Sequence, residues 1–209
     1  MPDVASLSLF LSAAIILAIT PGPGIFYVMT RSLKGGRGEG IASAFGTAVG
    51  GMFHVFAAAL GLSALLASSA FAFTVVKYAG AAYLVYLGIK TLLGKESLPT
   101  DDSAEVTGNK RAFYQGITVE ALNPKTALFF LAFIPQFINP EDTIFLQFVL
   151  LGTISVFLNT GADFVVASLA GPIGKHLKRN ERLQRAQRIF TACGLIALGI
   201  YVALTGEES

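Results

Sequence analysis

The chain has 209 residues, 54% hydrophobic and only 13% charged, with a net charge of +2 and a mean hydropathy of +0.66. The charged share is about half that of a soluble domain, and the near-neutral balance gives no basis for nucleic-acid binding. Stretches without Asp, Glu, Lys or Arg at 4–30, 40–76, 143–162 and 189–206 each reach the roughly 18–20 residues that cross a bilayer. The chain therefore reads as an all-α integral membrane protein.

The first predicted span covers about 4–30. Met-Pro-Asp precedes it with no positively charged leader and its apolar run is long, so it is expected to be retained rather than cleaved. Its middle holds Pro21-Gly22-Pro23-Gly24, and proline removes a helix hydrogen bond and clashes with the preceding turn. Lys34-Gly35-Gly36-Arg37-Gly38 is expected to break the chain before a second span at about 39–67. That span carries His54 and many small residues, including a Gly46-Thr-Ala-Val-Gly50 pattern that lets helix backbones approach closely. Such faces serve packing within the bundle and also allow a homodimer.

Ser68-Ser69 predicts a short turn into a third span at about 70–93, which carries Lys77. A Gly-, Pro-, Asp- and Ser-rich linker at about 94–111 precedes a fourth span at about 112–137. This span holds Glu120 and is interrupted by Asn123-Pro124-Lys125. Asn139-Pro140-Glu141-Asp142 predicts the next turn, and a fifth span at about 143–170 carries Asn159 and Asp163. Gly171-Pro172 is expected to end it. The basic stretch from Lys175 to Arg188 reads as a topology anchor in a solvated loop, or as an interfacial helix on anionic lipid. The sixth span lies at about 188–205, and its single Cys193 has no partner for an internal disulfide. The whole of 1–209 is one transmembrane domain, with a first repeat at about 4–93 and a second at about 112–205.

The placement of basic residues orients these spans. Of the 15 Lys and Arg residues, 13 fall in the first, third and fifth connections. The other connections and both termini hold none, and carry Asp3, Glu141, Asp142, Glu207 and Glu208. Positively charged short loops stay in the cytoplasm, so connections one, three and five are expected inside and both termini outside.

Three spans per half is an odd number, so alike halves are related by inversion in the membrane plane. Spans one and four, broken at Pro21/Pro23 and at Pro124, then run antiparallel with their breaks at similar depth. A broken span is tolerated where it faces protein or a watery cavity. Helix ends carry partial charge, positive at the start and negative at the end. Two antiparallel breaks therefore offer both signs at one site, which suits a zwitterion such as a free amino acid. The alternative is that each break is a kink healed by its neighbours.

Ionisable groups inside spans are expensive and are candidates for function: His54, Lys77, Glu120, Lys125 and Asp163. Glu120 and Asp163 both lie roughly 10–12 Å from the cytoplasmic ends of their spans at 1.5 Å per residue. With Lys125 they form a candidate cluster, either a proton-loading site or a structural ion pair. His54 can titrate near neutral pH or bond within a helix interface. Lys77 can snorkel outward or pair inside. Phe26, Tyr27, Tyr83 and Tyr86 line a path or fill the bundle. With two His residues and one Cys there is no zinc spacing. No phosphate-binding GxxxxGK[ST] motif and no Gly-x-Ser-x-Gly elbow appears. No cofactor, metal centre or enzymatic activity is expected, and the driving force has to come from a gradient or a separate subunit.

Several segments together resemble the LysE/RhtB family of bacterial amino-acid exporters over about 5–205. They are Ile19-Thr20-Pro21-Gly22-Pro23 with Gly35-Gly36-Arg37, the stretch from Lys77 to Gly88, and Gly116 with Leu122-Asn123-Pro124-Lys125 and Pro135-Gln136-Phe137. The resemblance implies efflux of amino acids or close derivatives across the bacterial inner membrane, driven by proton antiport. Family substrates include basic amino acids, threonine, homoserine and its lactone, leucine and cysteine. It supports Pro21, Pro23, Asn123, Pro124 and Lys125 as site-forming, positions that helix breaking already singles out, and it adds weight to Lys77; with Gly22 and Gly24 of the first break these make the expected substrate site. Gly24 stands where the family usually has Asn. The competing expectation is export of another small solute or a metal cation.

Overall fold

The structure is a computed structural model that describes residues 4–20, 22–68, 70–93, 108–139, 142–179 and 181–204. Pro21 and most of the central linker lie outside the described residues, as does the side chain of Lys77. Among the described residues the chain is helical and contains no strand. Helix α1 is Val4–Ile19, α2 is Pro23–Ser68, α3 is Ala70–Leu93 and α4 is Asn109–Ala121. The short α5, Pro124–Leu128, runs on through a π-helical turn, Phe129–Phe133, and a 3-10 turn, Ile134–Phe137. Helix α6 is Ile144–Arg179 and α7 is Glu181–Leu204.

The pattern of exposure is inverted relative to a soluble protein. Phe53, Phe71, Phe157 and Leu146 stand on the outer surface, while Glu39, Glu120, Asn123, Lys125 and Asp163 are buried. Water does not favour a surface of this kind, whereas lipid does. Two stretches, Pro23–Gly61 and Ile144–Leu169, are long and apolar enough to cross a membrane, and Asn109–Ala121 with Pro124–Phe137 makes a third, bent by 43°. Ser6–Ile19, Tyr78–Leu93 and Ala192–Leu204 are shorter apolar helices. The chain is an integral membrane protein.

Three local features differ from the sequence reading. The expected five-residue break at 34–38 is a single residue. Gly36 has φ 77° and ψ −176°, a conformation open in practice to glycine alone, while helix continues on both sides. The chain reverses there, so that Ser32 lies against Gly40, and Val28 and Ala44 share one apolar cluster with Ala167. The apolar stretch of the fifth span stops at Leu169, just before Gly171-Pro172, but the helix does not end there, and α6 continues to Arg179. A proline removes one hydrogen bond, and the Lys- and Arg-rich run beyond it favours helix and suits a helix C-terminus. The last helix starts at Glu181 rather than near 188, which replaces the expected basic loop with helix on both sides of position 180.

Helix α2 packs along α4 and α6, and α3 pairs with α7. Glycine makes the first contact close. A Cβ on Gly46 would fall on the carbonyl oxygen of Phe113, and one on Gly50 would come within 2.6 Å of the Ile117 carbonyl. Gly116 of α4 meets the Ser43 carbonyl at 2.7 Å in the same sense. The Gly46/Gly50 face is thus occupied within the chain, and a second copy would have to dock elsewhere. Gly46→Ala is expected to lower stability by about 2–3 kcal/mol, the usual overpacking penalty. Thermal melting in detergent checks this, and a parental melting temperature would contradict the backbone contact.

The core below the site is aromatic. Phe129, Phe133 and Phe137 recur every fourth residue, with ring centroids 5.0 and 4.8 Å apart along the row. Phe137 meets Phe10 of α1 edge-on at 5.5 Å, and Phe133 meets Tyr201 of α7 at 6.2 Å. The row ties α5 to both ends of the chain. The following turn is held by Gln147, whose amide donates to the Asn139 carbonyl and accepts from the Asn139 N–H at 2.9 and 3.0 Å.

Candidate functional site

The end of α1 and the start of α5 are joined by one side chain. A helix leaves its last carbonyls without internal partners and carries partial negative charge there. The Lys125 ammonium donates to the carbonyl oxygens of Leu17 at 3.0 Å and Thr20 at 2.6 Å, and so caps α1. Its stem lies on Gly22, where a Cβ would sit 3.1 Å from the lysine Cδ. The break between α4 and α5 is organised by Asn123. Its side-chain oxygen accepts from the Lys125 backbone N–H at 3.1 Å, the usual helix N-cap bond, and Pro124 occupies the first helical position.

Glu120, 1% exposed, ends α4 as a held carboxylate. Oε2 accepts from the Asn123 amide at 3.0 Å and Oε1 from the Thr126 hydroxyl at 2.7 Å. Its backbone carbonyl accepts from His54 Nε2 at 2.8 Å. A carbonyl has no proton to give, so that ring nitrogen is the donor. Gly24 leaves room for the carboxylate, because a Cβ there would lie 2.5 Å from Oε2. Asp163 is fully buried on α6 and accepts from the Thr47 hydroxyl at 2.7 Å through Oδ2. Among the described residues its Oδ1 has no hydrogen-bond partner.

These groups surround a cavity. Leu17, Gly22, Gly24 and Ile25 line it from the first break, and Thr47, Ala48 and Gly51 from the second arm of α2. Glu120, Asn123, Lys125, Thr126 and Phe130 line it from the second break, and Ser155, Val156, Asn159 and Thr160 from α6. The cavity gives water about 30 Å³ of room, enough for roughly two molecules. An amino acid needs the walls to part.

The structure brings Gly22, Gly24, Glu120, Asn123 and Lys125 into one wall-to-wall group. Pro23 and Pro124 are exposed and set where helices begin rather than lining the cavity. Asp163 stands behind Thr47, outside the lining, and His54 reaches the site through α4 backbone. The expected three-member cluster is thus rearranged, with Lys125 directed to the carbonyls of α1. The hydroxyls of Thr47, Thr126 and Ser155 were not foreseen.

Glu39 was also missed. It is 2% exposed, accepts from the Gly108 N–H at 2.7 Å and lies 3.9 Å from Arg31. Arg31 in turn donates to Gln115 at 2.6 Å and lies over the Tyr27 ring. The Tyr27 hydroxyl donates to the Ala112 carbonyl at 2.8 Å. This second polar group closes the reversal at Gly36 against the start of α4.

A helical membrane protein with interrupted helices around a charged internal cavity and an apolar outer surface is built like a solute carrier. Comparison with known proteins places it. Residues 15–206 match the model of the LysE type translocator family, and the chain belongs to that family of membrane transporters, which are not enzymes. It is 32% identical to the uncharacterized membrane protein YrhP of Bacillus subtilis over 209 residues, covering 96% of this chain and 99% of the relative. It is 30% identical to the homoserine/homoserine lactone efflux protein of Salmonella typhimurium over 181 residues, 87% of this chain and 88% of the relative. A membrane protein of Vibrio cholerae is 28% identical over 90% of this chain. No solved structure matches.

Proposed function

We propose that this transporter exports amino acids or close derivatives across the bacterial inner membrane in exchange for protons. The observation that carries this reading is the meeting of two interrupted helices at Lys125, with the held carboxylate of Glu120 on a shared cavity. A zwitterion presents an ammonium and a carboxylate. Glu120 is the partner for the first, and the positive end of α2 at Gly24 and Ile25 favours the second. Glu120 takes the substrate ammonium or a proton, one at a time, and that exclusion couples the two flows. Asp163 holds a second proton site one hydroxyl behind the cavity. The efflux names of the Salmonella relatives support the substrate class.

The proposed membrane arrangement is six spans in a 3+3 inverted repeat, with both termini outside and connections one, three and five cytoplasmic. Support comes from the pairing of counterparts: α1 with α5 through Lys125, the second arm of α2 with α6, and α3 with α7. A metal cation is a poorer cargo for this cavity. Among the described residues no three His, Cys, Asp or Glu side chains converge as metal donors.

The test is efflux from vesicles or cells loaded with a panel of amino acids and metal ions, with and without a pH gradient. Amino-acid efflux accelerated by the gradient is expected. Efflux of a metal alone, or of nothing, would overturn the reading.

A further inference from the structure

Many hydroxyls in and beside the described helices bond their own backbone. Those of Ser12, Thr20, Ser32, Ser43, Thr118 and Thr160 each donate to the carbonyl four residues earlier. This is the ordinary way a helix in an apolar setting satisfies such a group. Thr126 reaches a carboxylate instead, and Thr47 is shared between the Ala44 carbonyl and the Asp163 carboxylate. Ser155 does neither. It is 6% exposed, lies in the middle of α6, and its Oγ has no hydrogen-bond partner among the described residues. It lines the cavity, one turn before Asn159, which lines it too.

A buried hydroxyl without a partner is unfavourable, and helical serine has an internal partner available at i−4. Ser155 leaves that bond unmade and lines the cavity between the two helix breaks. In the proposed reading the charged ends of an amino acid have their partners at the two helix breaks, on α2 and α4. The α6 wall is a separate surface, with Val156 packed on Gly51 between the two polar residues. We infer that Ser155 is a specificity-determining contact, hydrogen-bonding an oxygen on the side chain of the transported amino acid, so that the cavity favours hydroxylated or otherwise oxygen-bearing side chains over apolar ones of equal size. The inference rests on the amino-acid efflux reading.

The purified chain, reconstituted in vesicles, is loaded with homoserine or with 2-aminobutyrate, which has the same skeleton without the hydroxyl. The parent is expected to export homoserine with the higher kcat/KM. Ser155→Ala is expected to lower kcat/KM for homoserine about tenfold, the value of one neutral hydrogen bond. The 2-aminobutyrate value should stay within about twofold. The variant should melt no lower than the parent, since no internal bond is lost.

An unchanged preference, an equal fall for both solutes, or a clear loss of thermal stability would each overturn the role of Ser155. So would a parent that exports only apolar amino acids. These results leave amino-acid efflux standing, whereas a parent that exports no amino acid removes both readings.

Discussion

Glu120→Gln is expected to abolish efflux driven by a pH gradient, lowering the rate at least about 100-fold, as loss of one partner of a buried charge pair does. The substitution keeps the size of the side chain and removes its charge and its proton. Glu120 already accepts from Asn123 and Thr126, so the protein holds the carboxylate in place before any solute arrives. A glutamine amide in that position sets a donor against one of these donors, and the Thr126 hydroxyl can turn to relieve it. The fold should therefore survive, with circular dichroism unchanged. Asp163→Asn serves as the contrast. Asp163 does not line the cavity, so exchange of labelled for unlabelled solute should persist while acceleration by the pH gradient is lost. Undiminished gradient-driven efflux in the Gln variant would remove Glu120 from the exchange.

Lys125→Met is the second large effect, expected to cost about 3–5 kcal/mol in stability as well as transport, the range for breaking a buried charged contact by removing one partner. The variant fills the same volume but withdraws the ammonium from the carbonyls of Leu17 and Thr20. Leu17 keeps a bond from the Thr20 N–H at 3.2 Å. The Thr20 carbonyl loses its short contact at the buried end of α1. Glu120 and Asp163 lose the nearby positive charge. Arginine does not restore the contact, because Gly22 leaves space only for a slim stem at 3.1 Å. Thermal melting and efflux are measured together. Parental behaviour in both would mean that Lys125 neither holds the break nor serves the cavity.

Much of this site was legible because its signals are loud. Proline within apolar sequence marks the starts of α2 and α5, and a carboxylate or ammonium in a long uncharged run stands out by its expense. Glu120, Asn123 and Lys125 were all found that way. The partners of Lys125 were not, because they are backbone carbonyls, which every residue has. Thr47, Thr126 and Ser155 were hidden for a related reason. A hydroxyl usually bonds its own helix, so composition does not tell which one turns outward. Glu39 escaped because it borders the basic cluster at 31–37, where a charge suggests water; its burial arises from the one-residue reversal at Gly36. Gly171-Pro172 misled in the other direction, since a proline marks a helix end only where the sequence beyond it resists helix. The π and 3-10 turns after α5 depend on aromatic packing between distant segments, a tertiary effect that no local pattern carries.

The clasp between Lys125 and α1 also sets an order on assembly. Leu17 and Thr20 precede Lys125 by 108 and 105 residues, so the ribosome releases the acceptors long before the donor exists. The reversal at Gly36 brings together neighbours only a few turns apart, and short loops close at little entropic expense. The nascent first half can therefore acquire its bend early, while the terminus of its opening rod waits uncapped for a group from the second half. A truncated product lacking that half would retain this defect, which gives cellular quality control a chemical difference between an unfinished chain and a finished one.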